Sequence, residues 1–173
     1  MAGMSLRTFL PSGAVNPYKL NVLQNARAKD RQGRFMEAVK LYKKVLVEDD
    51  SDYRVNFELA NVFMKLKRFE EATVYYQNVI ELNPDFADTY SNLASARFSL
   101  GFVQEAIESL KKAVKLNPNF TVGYNNLAFI YLKSNRIDEA IKNYRKALEL
   151  DSSLRSAQRG LNEALAAALE NTK

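Results

Sequence analysis

Along most of this chain apolar residues recur at spacings of three and four, the signature of one face of a helix. In 87–120 the stretch ADTYSNLASARFSL places Tyr90, Leu93, Ala94 and Phe98 on one face. Gly101 then predicts a stop, because glycine takes the left-handed conformation of a helix C′ position at little cost. The following VQEAIESLKKAVKL carries Ala106, Leu110, Ala113 and Val114 on a second face. Gln104 and Glu105 lie at its start, and Lys111, Lys112 and Lys115 near its end, an order the helix dipole favours. Asn117-Pro118 ends it, since proline lacks the amide hydrogen and disfavours a helical residue before it.

The same pattern returns every 34 residues. ELNPDF at 81–86 and KLNPNF at 115–120 put Pro84 and Pro118 one period apart, 118 − 84 = 34. Ala26, Ala60, Ala94 and Ala128 share one register, and Ala38, Ala72, Ala106 and Ala140 another. Val45, Val79, Ala113 and Ala147 form a third column of small residues. Between them run Phe35, Phe69, Val103 and Ile137; Tyr42, Tyr76, Leu110 and Tyr144; and Leu46, Ile80, Val114 and Leu148. A seventh column holds Asn25, Leu59, Leu93 and Leu127. Methyl-sized residues let two helices approach closely while large neighbours fill the grooves around them. The turn positions are Gly33, Lys67, Gly101 and Asn135; Lys67 is the exception to the Gly/Asn preference. Phe86 and Phe120 are expected to pack under the unit that follows each of them.

A helix–turn–helix repeat of this length with these columns resembles the tetratricopeptide repeat family. The carriers are Tyr90, Leu93, Ala94, Gly101, Ala106, Leu110, Ala113 and Pro118 with their equivalents one period away. The resemblance implies an all-α, right-handed superhelical solenoid of four units: 19–52, 53–86, 87–120 and 121–152. It is weakest in the first unit, where Asn25 and Lys29 occupy usually apolar columns. Residues 153–173 read as a C-terminal capping helix with Leu161, Leu165 and Leu169 on one face. Residues 1–18 hold two of the four prolines and two of the six glycines, show no helical period and read as an extended tail.

The resemblance also implies where a partner binds. The first helices of such units line a concave groove, and the candidate groove residues are Arg54, Phe57, Asn61, Asn92, Ser95, Phe98, Asn125, Asn126, Phe129 and Lys133. Beside them the same face carries Leu20, Leu23, Gln24, Arg27, Asp30, Arg31, Glu58, Met64, Lys65, Asp88, Ser91, Ser99, Val122 and Leu132. Amides offer both a donor and an acceptor to an extended backbone, and the aromatic residues offer apolar surface. Two alternatives stand beside this. Asn92 and Asn126 match a residue common across the whole family, and Phe98 and Phe129 are equally suited to packing between helices. Chaperone-binding members grip an acidic C-terminus with lysine, arginine and asparagine. Here Asn61 and Asn92 match, but the cation positions hold Phe57, Val122 and Asn126. The carboxylate clamp is therefore not expected, and a more apolar ligand is.

Composition narrows the chemistry. The 173 residues contain neither Cys nor His, which removes disulfides, thiolates, the commonest general base and the commonest metal ligand. The paired acids Glu70-Glu71 and Asp138-Glu139 begin second helices, where the dipole accounts for them. There is no phosphate-binding glycine loop. No enzymatic activity, cofactor or metal is expected. The net charge of +5 is spread thinly, nine basic against six acidic residues in 1–52 and sixteen against fourteen beyond, so a nucleic-acid partner is not expected. The basic cluster Arg27, Lys29, Arg31 and Arg34 is interrupted by Asp30 and Glu37 and reads as a solvated outer helix. No apolar run is long enough to span a bilayer, and the first residues lack a signal-peptide core. The expectation is a cytoplasmic or other soluble intracellular protein whose partner is a protein or peptide. The function read from the sequence is protein–protein interaction in an assembly, scaffold or co-chaperone-like role. The alternative is a structural subunit held through its convex face, its ends or its N-terminal tail.

Overall fold

The computed structural model describes residues 16–171. These form nine helices and no strands: α1 (Pro17–Arg31), α2 (Phe35–Glu48), α3 (Tyr53–Lys65), α4 (Phe69–Leu82), α5 (Ala87–Ser99), α6 (Val103–Leu116), α7 (Thr121–Lys133), α8 (Ile137–Leu150) and α9 (Arg155–Glu170). Each odd helix packs on the even helix that follows it, and each even helix on the next odd one. The result is an all-α solenoid of stacked helix pairs. The first helices also touch one another, α3 with α5, α5 with α7 and α7 with α9, so they line the tighter, inner side of the stack.

The small-residue columns are the points of closest approach. All eight alanines at 26, 60, 94, 128, 38, 72, 106 and 140 are fully buried, as are Val79, Ala113 and Ala147. Tyr42, Tyr76, Leu110 and Tyr144 are buried between them. The four turns share one geometry. Gly33, Lys67, Gly101 and Asn135 all have positive φ, between 57° and 86°. In each turn the residue with positive φ donates its N–H to a carbonyl three residues back, and the next residue donates five residues back, as in Lys67 N to Met64 O (3.0 Å) and Arg68 N to Phe63 O (2.9 Å). This is the Schellman arrangement, which satisfies carbonyls left over at the helix end.

The ends depart from the sequence reading in two ways. The first helix starts inside the expected 1–18 tail: Asn16 accepts from Tyr18 N at 3.0 Å as an N-cap, and Pro17 takes the first helical position, where its missing N–H costs nothing. Residues 1–15 of that tail lie outside the described residues. At the other end the face of α9 that packs on the array is Ala157, Gly160 and Ala164, with Leu161 beside it, and not the expected leucine stripe; Leu165 and Leu169 are exposed. The physical reason is register. One period after Leu127 comes Leu161, so α9 takes the place of a fifth first helix. One period after Ala128 comes Asn162, which is polar and exposed and closes the stack to another second helix. Gly160 fits because the Tyr144 ring lies directly over it, where any Cβ would collide.

At the junctions Phe86 makes ring contacts that the sequence reading did not name. Its ring packs on Tyr53 (centroids 5.9 Å) and Phe57 (5.0 Å) of its own unit. Phe120 lies against the next unit: a Cβ on Gly123 would come within 2.6 Å of its Cδ1.

Candidate interaction groove

Spacing along α1, α3 and α5 projects one polar stripe from each helix into the inner face. Arg27, Asp30 and Arg31 from α1, Glu58, Asn61, Met64 and Lys65 from α3, and Asn92 and Ser95 from α5 surround a groove of about 740 Å³. Its floor is made by Tyr42 and Tyr76 from the second helices. The groove thus unites three of the candidate residues, Asn61, Asn92 and Ser95.

The amides are already organised. Asn61 Oδ1 accepts from Tyr76 Oη at 2.6 Å and from Asn92 Nδ2 at 3.0 Å. Two donors on one oxygen fix the orientation of both amides. Asn61 Nδ2 and Asn92 Oδ1 are then left without a hydrogen-bond partner among the described residues. Further along, Asn126 Nδ2 donates to Ser91 Oγ (3.2 Å), and Asn125 Oδ1 accepts from Ser156 Oγ of α9 (3.3 Å). The bonds of Asn92, Asn126 and Asn125 each tie one inner helix to another. Burial pushes the Tyr76 phenol well above its ordinary pKa, so it remains a donor at neutral pH.

The charges of the groove are largely paired. Arg27 grips Glu58 with two nitrogens at 2.6–3.0 Å, and Lys65 Nζ lies 2.7 Å from both oxygens of Asp30. The bond to Glu58 raises the Arg27 pKa further. Burial, with Glu58 nearby, raises that of Tyr42. Of the basic cluster expected to be simply solvated, Lys29 and Arg34 both meet Glu37, at 3.2 and 2.5 Å. Only Arg31 of the four has no ion-pair partner among the described residues, and it is exposed at the groove rim.

The C-terminal half of the inner face is aromatic. Phe98 and Phe129 meet edge to face with centroids 5.9 Å apart, a favourable geometry for two rings. Phe98 is half-buried against the core, whereas Phe129 is 42% exposed. Lys133 Nζ stands 5.6 Å from the Phe129 centroid and bonds Glu163 of α9 at 3.0 Å.

Other candidates are placed elsewhere. Phe57, read from the sequence as apolar groove surface, packs on the core with its ring against Tyr76 (5.9 Å) and Phe86. Arg54 is exposed at the start of α3, with its guanidinium over the Tyr53 ring. Ser91 and Leu132 are buried between helices. Sequence reasoning missed the two tyrosines of the floor, which it assigned to a packing column alone. It also missed the Arg27–Glu58 and Lys65–Asp30 ties; the signal was opposite charges 31 and 35 residues apart, close to one period, on adjacent inner helices. Among the described residues no group of three or more acidic side chains is placed to hold a metal ion, and no helix is long and apolar enough to cross a membrane.

Tetratricopeptide repeat models match residues 23–77, the overlapping stretches 60–101 and 94–135, and residues 122–154. The chain belongs to the tetratricopeptide repeat family. Such repeats serve generally as protein-interaction modules rather than enzymes, and this repeat protein takes that general role. Among solved structures it is similar to a MamA protein at 25% identity, with 87% of this chain and 82% of that one covered and a TM-score of 0.79. It is also similar to MamA from Desulfovibrio magneticus RS-1 at 23% identity, covering 79% and 77% of the two chains with a TM-score of 0.74. A third similar structure is the first TPR of Spaghetti (RPAP3) bound to the HSP90 peptide SRMEEVD, at 25% identity, with 68% and 93% covered and a TM-score of 0.64. Comparison with curated proteins finds no match.

Proposed function

We propose that the inner groove binds an extended segment of a protein partner, and that the chain acts as an assembly or scaffold factor. The observation that carries this reading is the pair of unspent amide groups at Asn61 and Asn92, held in fixed orientation by Tyr76. One presents a donor and the other an acceptor, the complement of a peptide unit. Each bond to a partner main chain contributes about 0.5–1.5 kcal/mol net. The exposed face of Phe129 receives an apolar side chain, contributing roughly 1.5–3 kcal/mol if fully covered. The likeness to a Spaghetti domain carrying a peptide supports groove binding as a mode open to this architecture. The ligand differs in kind from an acidic terminus: Arg27 and Lys65 are neutralised by Glu58 and Asp30, and Phe57, Val122 and Asn126 occupy the clamp's cation positions.

The second reading is a structural subunit held through its outer face or ends. Met36, Val74 and Phe102 favour it, being large apolar residues at least half exposed outside the groove. Affinity capture from native extract with mass spectrometry separates the two, using the wild type and an Asn92→Ala, Phe129→Ala chain whose helicity is checked by circular dichroism. Groove binding predicts partners lost by the variant alone. Partners held equally by both chains would refute the groove and support the outer surface.

A further inference from the structure

The outer face carries a pocket that the repeat pattern does not predict. It lies between α2 and α4, has a volume of about 570 Å³ and is walled by Leu46, Val47, Tyr75 and Leu82 with Asn56 at its base. Two departures from the columns create it. Positions 47, 81, 115 and 149 hold Val, Glu, Lys and Glu, so only the first unit places an apolar residue there, and Val47 is 86% exposed. Positions 56, 90, 124 and 158 hold Asn, Tyr, Tyr and Gln. The first unit boundary thus lacks the ring that Tyr90 and Tyr124 supply at the next two. Asn56 is buried, and its Nδ2 is occupied by the Asp50 and Asp52 carbonyls, both at 3.2 Å. Leu82, on the far wall, is 42% exposed.

The start of α1 lies on the same edge of the molecule. Lys19 Nζ bonds Asp49 at 2.6 Å, and Lys44 Nζ stands 5.2 Å from the Tyr18 centroid. Lys44 precedes Val47 by one helical turn. The start of α1 therefore lies beside the C-terminal half of α2. The segment before Asn16, MAGMSLRTFLPSGAV, contains Leu6, Phe9 and Leu10, one basic residue, Arg7, and no acid. The pocket rim carries Asp50 and Glu81 against one cation, Lys43, whose ammonium stands 5.8 Å from the Phe63 centroid. From Leu10 to Asn16 six residues reach as far as about 20 Å.

We propose that residues 1–15 of this chain dock on the outer pocket between α2 and α4, with Phe9 and Leu10 against Leu46, Val47 and Leu82 and Arg7 toward Asp50 and Glu81. Apolar surface and charge are complementary, and the connection is short. Docking there leaves the inner groove open, so this inference does not depend on the groove reading.

The absence of cysteine allows a single spin label to be placed cleanly. The full-length Thr8→Cys chain carries a nitroxide, and methyl NMR signals are compared with and without reduction of the label. The expected result is loss of the Leu46, Val47 and Leu82 methyl signals with the Met64 methyl unaffected. Adding the exposed substitution Val47→Lys, which keeps the fold and repels Arg7, should restore the Leu46 and Leu82 signals. Broadening of Met64 would place the segment in the groove and overturn the proposal. So would no broadening at all, or broadening that persists in the Val47→Lys chain. Broadening of an unlabelled isotopic copy mixed with a labelled one would show docking on a second molecule, and would overturn it also.

Discussion

The Tyr90 hydroxyl donates to the carbonyl oxygen of Pro84 at 2.9 Å, across the boundary between the second and third helix pairs. One period earlier Asn56 Nδ2 donates to Asp50 O at 3.2 Å, and two periods later Gln158 Nε2 donates to Ser152 O at 2.7 Å. Three different side chains thus make one bond, each reaching six residues back to a carbonyl just beyond the end of a second helix. At the fourth equivalent position, Tyr124 makes no such bond to Pro118 among the described residues.

Tyr90→Phe should therefore destabilise the array, and Tyr124→Phe should not. The bond is partly exposed, so the expected cost lies toward the low end of about 0.5–1.5 kcal/mol. Urea unfolding followed by circular dichroism gives both values. Equal effects of the two substitutions would show that the hydroxyl at 90 contributes nothing.

Gly160→Ala should cost about 1–3 kcal/mol, the typical range for overpacking a closed core. The added methyl meets the far end of the Tyr144 ring, including Cζ and the hydroxyl. Tyr144→Leu removes those atoms, and Leu110 already occupies the equivalent site in another unit. In the Tyr144→Leu background Gly160→Ala should cost little. A double-mutant cycle checks this, and additivity would refute the contact as the cause.

The columns made most of the fold legible because each alanine stands where two backbones must approach, and nothing larger fits. The junction bonds were hidden for the opposite reason. Asn, Tyr and Gln each donate to the carbonyl six residues back despite their different lengths, so the bond is kept while the letter changes. The packing face of the last helix was misread because Asn162 breaks the alanine column, and its leucines draw attention away from Ala157, Gly160 and Ala164. In the groove, Asn61, Asn92 and Ser95 were named by the resemblance to the repeat family, and they line one cavity. Phe57 packs on the core instead, against rings that stand outside its own helix, Tyr76 and Phe86. The charge ties across the groove required knowing which inner helices lie side by side.

Thr89→Val should stabilise the protein. Thr89 Oγ1 is buried without a hydrogen-bond partner, and the equivalent residue in the preceding unit is Val55, also fully buried. An unsatisfied buried hydroxyl carries a desolvation penalty of about 1–3 kcal/mol, and an apolar group of the same shape removes it. The expected gain is about 1 kcal/mol by urea unfolding. A loss instead would mean that the hydroxyl finds a partner in solution, such as an ordered water.

Stability should be flat with pH between about 5 and 8 and fall on either side, because the chain has no histidine or cysteine to titrate in that window. On the acid side, the Lys19 ammonium and the Ser51 hydroxyl hold the Asp49 carboxyl below its ordinary pKa. Arginine partners do the same for Glu37, Glu71 and Glu139. A depressed native value means that folding favours the charged form. The stabilisation is present above the unfolded pKa, near 4, and is lost as pH falls through the native value. Lys19→Met should lower Tm at neutral pH and shrink the further loss on acidification. On the alkaline side, burial and then the charge of Glu163 push Tyr144 up to about 12. A raised value favours the protonated phenol, so this contribution is intact below the unfolded pKa of about 10 and disappears as pH climbs toward the native one. Thermal unfolding by circular dichroism across the pH range checks all three limbs. A stability transition between pH 5 and 8 would contradict the assignment, since no side chain with an ordinary pKa there is present to cause it.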